Sequence, residues 1–376
     1  MVTIVHTADW QLGMRRHYLG PGAQARFSQD RLEAVAAIGR LAAETDARAV
    51  LVAGDVFDDN QVDRRTVLRA LDVLRAFPDI PVLLLPGNHD PLDAGSVFRS
   101  PTFLDHRPPG VRVISDTDPI TIAPGVEVVG APWPVKRPTH NPALDVLASL
   151  PPTDGVRILL AHGGVDAVSG DFDQTGILPL TELEAAVADR RVSYVALGDR
   201  HSATAVGGTG RIHYAGAPEP TAYVEQDPGR ALVVHLADSD IEVTSHRVGR
   251  WSYRQRVFDL SGSEDLAVVL RWLEEPADKP RTVAKLALRG ALTLRDRARL
   301  DDALATAAQT YAALETWDRH TELVTAPDRA DLDAMEVGGF VAAAVAELQA
   351  TVSAGGGDGD AAGDALALLY RTVVRP

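Results

Sequence analysis

The chain has 376 residues, which at about 150 per domain predicts two or three domains and excludes a single small module. Hydrophobic residues at 45% and charged residues at 24% are globular proportions, so a disordered or fibrous chain is excluded. Lys and Arg number 37 against 52 Asp and Glu, a formal charge of −15 that rules out whole-surface attraction to a phosphate polymer and leaves only local nucleic-acid contacts.

In chain order, Met1-Val2-Thr3-Ile4-Val5-His6 lacks a basic leading region and reads as a buried strand, not a signal peptide. No apolar run approaches the roughly 18 residues of a membrane span, so a soluble cytoplasmic protein is expected. One rhythm then repeats, a short β-branched run followed by a polar loop and an amphipathic helical stretch. The apolar runs are Val2 to Val5, Ala49 to Ala53, Val82 to Leu85, Arg157 to Ala161 and Tyr194 to Leu197, with helices predicted at Arg31 to Ala43 and Arg64 to Phe77. Continuous apolar runs suit strands covered on both faces. From Val111 to Gly130, and again from Ile212 to His246, short strands alternate with Pro and Gly turns, which predicts a second sheet packed on the first. Val257 to Leu314 reads as strand-helix-strand-helix, a small second domain. Beyond Pro327 come an Ala-rich helix, Leu332 to Leu348, a Gly/Asp linker, Ala354 to Asp360, and an apolar segment, Ala365 to Val374. The expected domains are therefore 1–246, 247–326 and 327–376, with no internal repeat.

Ligands of open α/β sheets collect outside the carboxyl ends of strands. Just after the apolar runs stand Asp9 and Gln11, Gly54-Asp55, Gly87-Asn88-His89-Asp90, His162-Gly163 and Gly198-Asp199-Arg200-His201. Carboxylate, amide and imidazole at five successive strand ends cannot be buried unpaired cheaply, so their convergence needs a shared partner. Divalent metal ions meet that need. The chain has no cysteine, which excludes disulfides, thiolate metal sites and Cys nucleophiles, and oxygen-rich donors favour Mn²⁺ or Mg²⁺, with Fe²⁺ or Zn²⁺ as alternatives, over a thiolate zinc site.

These residues resemble the calcineurin-like metallophosphoesterases. Within them, His6-Thr7-Ala8-Asp9-Trp10-Gln11-Leu12-Gly13, Gly54-Asp55-Val56-Phe57-Asp58 and Tyr214-Ala215-Gly216-Ala217-Pro218 are similar to the SbcD-type DNA repair exonucleases, over about Met1 to His246. The resemblance implies an α/β fold, a four-layer α/β/β/α sandwich with a small α/β cap that helps shape a DNA groove and a C-terminal helical tail. It implies two divalent ions, most readily Mn²⁺. One would be held by Asp9, Gln11 and His201, the other by Asn88, His162 and Asp199, and Asp55 would bridge them. Gln11 and Asp199 stand where the family usually has His; the amide is a poorer ligand, and the carboxylate adds a hard anionic oxygen. Two ions about 4 Å apart would drive in-line phosphodiester hydrolysis. His89 would serve the leaving group, with Asp90 orienting its ring.

The other histidines, His17, His106, His140, His213, His235, His246 and His320, read as ordinary core or surface residues, His6 as packing behind the site, and Asp58, Asp59 and Asp63 as solvated acids. Trp10 and Trp133 read as core or rim aromatics. The basic residues near the motif loops, Arg15, Arg16, Arg64, Arg65, Lys136, Arg137 and Arg200, could position a duplex by phosphate contacts. The expected function is a metal-dependent DNA exonuclease, with endonuclease activity as an addition, acting in DNA repair. The alternatives are a phosphodiesterase for nucleotides or small phosphoesters, and a weakly active subunit that binds DNA ends or an ATPase. The resemblance further implies an SMC-like ATPase partner gripped by C-terminal helices, and a homodimer.

Overall fold

The computed structural model describes residues 2–169, 176–237, 240–326 and 338–374. It divides into two compact units, residues 1–16 with 24–251, and residues 17–23 with 252–376.

The first unit runs β1 (Val2–Thr7), α1 (Pro21–Glu44), β2 (Val50–Val52), α2 (Arg64–Arg75), β3 (Val82–Leu84), α3 (Pro101–His106), β4 (Val111–Val113), β5 (Ile120–Ala123), β6 (Val126–Gly130), α4 (Pro142–Ser149), β7 (Val156–His162), α5 (Leu180–Ala188), β8 (Tyr194–Gly198), β9 (Thr204–Ala205), β10 (Ile212–Tyr214), β11 (Arg230–Leu236) and β12 (Ile241–Arg247). Two six-stranded sheets result, ordered β12-β11-β1-β2-β3-β4 and β5-β6-β7-β8-β10-β9. Side chains alternate across each strand, so each sheet buries two apolar faces. Ile4, Leu51 and Leu83 of the first sheet meet Val128, Ile158, Leu160 and Ala196 of the second. The opposite face of the first sheet, Val5, Val50, Val52 and Leu84, lies under Val35 and Ile38 of α1 and Leu71 and Leu74 of α2. Val129, Leu159, Val195 and Leu197 of the second sheet lie under Val146 of α4 and Leu183 of α5. The layers are therefore α/β/β/α. The helix α2 is a compact example of local cause. Asp63 accepts from the Thr66 N–H at its start at 2.8 Å, and Val67, Ala70, Leu71 and Leu74 recur on the buried side.

The two short-strand regions do not form one sheet as expected. Between 111 and 130, β4 joins the first sheet and β5 and β6 the second; between 212 and 246, β10 stays in the second while β11 and β12 pair antiparallel onto β1. Tight spacing announced strands but carried no information about their partners.

The second unit contains β13 (Ser252–Leu260), α6 (Ser263–Glu274), β14 (Thr282–Leu292), α7 (Leu294–Thr310), β15 (Ala313–Thr316) and β16 (Glu322–Thr325), all strands pairing in parallel around β14. Phe258, Leu286 and Leu288 pack beneath Leu266 and Val269 of α6 and Leu300 of α7. Two helices follow, α8 (Gly339–Ala354) and α9 (Gly356–Val374). The predicted helix at Leu332 therefore lies partly outside the described residues. The expected linker is corrected: Gly355, at φ +73°, ends α8, and the Gly/Asp run is the first turn of α9. Leu366 and Ala367 of α9 are buried against Leu294 and Ala298 of α7 and Val345 of α8, and this docking overrides the weak helix propensity of the glycines. No helix among the described residues is long and apolar enough to cross a membrane.

Candidate metal centre

The polar residues at the strand ends meet. Ligand atoms of Asp9, Asp55 and His162 lie within 4.8 Å of one another, and all three residues are buried. His162 Nε2 is 3.5 Å from Asp55 Oδ1, 3.8 Å from Asp199 Oδ1 and 3.1 Å from Asn88 Oδ1. The Asp199 N–H donates to Asp9 Oδ1 at 3.0 Å, and Gln11 Nε2 lies 3.2 Å from His201 Nε2. Asp9, Asp55 and Asp199 have φ of +53°, +54° and +94°, and Gln11 has +44°. Such backbone costs on the order of 1–3 kcal/mol per residue, and its recurrence at four site residues marks a place where geometry is held against local preference.

Glycines make the close approach possible. A Cβ on Gly54 would lie 2.1 Å from His162 Nδ1, one on Gly87 2.2 Å from Asp55 Oδ1, and one on Gly198 1.9 Å from the Ala53 carbonyl oxygen. That same Ala53 carbonyl accepts from His162 Nδ1 at 2.8 Å, which fixes the tautomer and presents Nε2 to the carboxylates. Burial alone would lower the His162 pKa, but the carboxylates of Asp55, Asp199 and Asp9 outweigh it and push it up to about 9. Asp9 is pushed up to about 6 by burial, against the pull of His201 and His162.

The residues fit divalent cations. The carboxylates of Asp9, Asp55 and Asp199 converge on His162, and Gln11 Oε1 is buried with no hydrogen-bond partner among the described residues. An orphaned buried acceptor costs about 1–3 kcal/mol, which a coordinated cation removes. The donors are carboxylate and amide oxygens with two imidazoles, a hard set.

Residues 2–203 match the family model described as calcineurin-like phosphoesterase. The chain belongs to the calcineurin-like phosphoesterase family. It is an enzyme, a metal-dependent phosphoesterase, of a family that binds a dimetal centre. It is 29% identical over 294 residues to the DNA double-strand break repair protein Mre11 of Halobacterium salinarum, covering 74% of this chain and 68% of that protein. It is 28% identical over 265 residues to the SbcD subunit of the SbcCD nuclease of Rhodobacter capsulatus, covering 59% of this chain and 63% of that one. The chain thus spans about two thirds of the length of these curated relatives. A dimetal phosphatase from Danio rerio superposes with a TM-score of 0.42 at 14% identity, over 66% of this chain and 96% of that chain.

Within this phosphoesterase site one expectation changes, that for Asp90, while His6 packs behind the site as expected. Asp90 does not orient His89. Its carboxylate accepts from the Gly87 N–H at 2.8 Å and the Phe57 N–H at 2.9 Å, tying two site loops together, while the His89 ring is held at Nδ1 by the Asp58 carbonyl at 2.8 Å. Buried beside Asp55, Asp90 has its pKa pushed up to about 7, first by burial and then by that neighbour. His6 bonds to the Tyr194 hydroxyl at 3.1 Å and the Leu197 carbonyl at 3.2 Å, and burial lowers its pKa to about 3.

The basic residues divide. Lys136, Arg137 and Arg200 line a cleft of about 520 Å³ whose lining also includes Asn88, Asp199 and His201. Arg200 is committed to the Thr204 hydroxyl and the Val168 carbonyl, and Arg16 to the Thr221 carbonyl. Arg15, Arg64 and Arg65 are exposed and do not line the cleft.

Sequence reading missed Thr221 and Glu225. Thr221 Oγ1 is 2.6 Å and Glu225 Oε1 3.1 Å from His201 Nδ1, so they orient this imidazole as the Ala53 carbonyl orients His162. They lie in an irregular loop after Pro220, where no periodicity announces them. Asn141 and Trp133 were also missed in this role; their side-chain N–H groups donate to the His162 carbonyl at 2.9 and 3.0 Å.

Proposed function

We propose that the chain is a metal-dependent DNA nuclease of DNA repair, an exonuclease that also has the means to cut internally. The observation that carries the reading is the convergence of Asp9, Asp55 and Asp199 with His162, next to a cleft that Asp199, Asn88 and His201 line together with Lys136, Arg137 and Arg200. Likeness to proteins named Mre11 and SbcD supports DNA as substrate.

In this reading Asp9, Gln11 and His201 would hold one divalent cation and Asn88, His162 and Asp199 the other, with Asp55 available to both. Mn²⁺ suits a set with one imidazole per ion and oxygen elsewhere. When bound, such a pair supplies Lewis acidity and charge neutralisation for in-line attack on a phosphodiester. The protein's own contribution is position and proton transfer. The Asp58 carbonyl can only accept, so His89 Nδ1 carries a proton and the ring keeps one orientation with Nε2 free; in the imidazolium form, protonated on both nitrogens, Nε2 would give its proton to the leaving alkoxide and the ring would remain neutral with Nδ1–H on Asp58. Lys136 and Arg137 hold the strand by its phosphates, which makes binding salt-sensitive. Residues 1–246 form the nuclease domain and 247–326 a cap, and the protein works in the cytoplasm as a homodimer with an SMC-like ATPase.

The test compares Mn²⁺-loaded protein on linear duplex DNA and on a small chromogenic phosphodiester. Degradation of the duplex, lost by several orders of magnitude in Asp55→Asn and severely reduced in His89→Ala with metal retained, is expected. Turnover of the small diester with intact duplex would replace the reading by a small-phosphoester enzyme. Duplex-end binding with turnover of neither would make it a binding subunit.

A further inference from the structure

We propose that Arg31 is a positioning residue that braces one half of the centre and sets the affinity of the cation position formed by Asp9, Gln11 and His201; this rests on the two-cation reading above. On α1, Phe27, Asp30 and Arg31 share one face, at spacings of three and four residues. Arg31 is 2% exposed, and its guanidinium lies over the Phe27 ring, 4.7 Å from the centroid. Its Nη1 donates to the Trp10 carbonyl at 2.7 Å. Its Nη2 reaches the carbonyls of Pro220 at 3.3 Å and Glu219 at 3.4 Å, and Met14 Sδ at 3.5 Å.

The residues that follow these carbonyls are the significant ones. Trp10 precedes Gln11, whose left-handed backbone aims its amide at His201. Pro220 precedes Thr221, whose hydroxyl sits on His201 Nδ1. One planar fork thus joins the loop carrying Gln11 to the loop that orients His201, two segments about two hundred positions apart in sequence. The Glu219 loop is fixed from its other side, where the Glu219 carboxylate accepts from the N–H groups of Arg250 at 2.8 Å and Trp251 at 2.9 Å, while the Trp251 indole donates to Asp30 at 3.0 Å. A buried guanidinium is costly to desolvate, and where packing alone was needed an apolar side chain would serve as well. Two separated carbonyl targets need the fork; a lysine ammonium reaches one of them. The His162 half is anchored by different groups: the Ala53 carbonyl, Asn141, Trp133 and Asp90.

Mn²⁺ binding to the full chain tests this, by calorimetry in two backgrounds. In Asn88→Ala, which leaves the His201 position, adding Arg31→Met should weaken the remaining ion at least tenfold, and Arg31→Lys should weaken it by a smaller factor. In His201→Ala, which leaves the His162 position, Arg31→Met should change affinity less than twofold. Equal weakening in both backgrounds, or none in the first, overturns the brace. If Arg31→Met does not fold, Arg31→Lys carries the comparison under the same two criteria. A wild-type chain that binds fewer than two ions fails the two-cation reading itself, a result visible before any Arg31 variant is made.

Discussion

The two halves of the centre are built from different materials. The His162 ring is held by backbone: it is fully buried, clasped between Gly54 and Gly198, and bonded to the Ala53 carbonyl, with the Asn141 and Trp133 side chains reaching only the residue's own carbonyl. Around His201 the supports are side chains: the ring is 22% exposed and is held by Thr221 and Glu225, with Gln11 opposite. Backbone supports can be altered only by disturbing the fold, whereas side-chain supports can be altered singly. The first half is therefore bound to stability and the second is where affinity can be tuned.

The largest expected effect that sharpens this contrast is on the His162 side. In Gly198→Ala the new methyl would meet the Ala53 carbonyl oxygen at 1.9 Å, a backbone atom that cannot swing aside as a side chain can, so destabilisation of about 3 kcal/mol or more is expected, read as a lowered denaturation midpoint with or without metal. A midpoint unchanged from wild type would break the contrast. Next comes the His201 side. Glu225→Gln should leave the midpoint of the metal-free protein nearly unchanged yet weaken one Mn²⁺ by about 10–100-fold, the usual consequence of losing a partner behind a metal-bound imidazole. Weakening of both ions alike would show that the halves are not separable.

The smallest effect is the pH dependence of stability in chelated protein. His162, raised from 6.5 to about 9 by its carboxylate neighbours against burial, contributes stability that is complete below 6.5 and lost as pH rises through 9. Asp90, raised from 3.8 to about 7 by burial and Asp55, keeps its proton in the folded state where the unfolded chain has lost it, so stability again falls as pH rises from 3.8 toward 7. Both slopes have one sign. Below pH 6.5 the buried His6, lowered to about 3, and His213, lowered to about 4, add a slope of the opposite sign, so the decline is expected from pH 6.5 to about 9; Mn²⁺ should flatten it, and a midpoint of metal-free protein that rises over that range contradicts the assignment.

Much of the site, though not this contrast, was legible in the sequence, for a physical reason. Buried parallel strands read as continuous apolar runs, so their ends could be located, and the residues after them, Asp9, Asp55, Asn88, His162, Asp199 and His201, do converge. What could not be read was whatever depends on a loop without periodicity. Asp90 stands next to His89 in sequence, yet its carboxylate turns to the Gly87 and Phe57 N–H groups, a choice fixed by tertiary geometry. Thr221 and Glu225 are brought to His201 by a turn with no pattern. The tail shows the same limit in reverse: a run of glycines has the composition of a tether, but Leu366 docking on Leu294 and Val345 makes it helix.

The proposed nuclease activity, the proposed cation affinities and the contrast between the halves all rest on the proposal that these six side chains and Gln11 surround two cations. Anomalous diffraction from crystals grown with Mn²⁺ measures this directly. The expected result is two separate peaks on either side of Asp55, one in reach of Asp9, Gln11 and His201 and the other in reach of Asn88, His162 and Asp199. A single peak, or peaks that leave Gln11 and Asp199 without an ion, would contradict it.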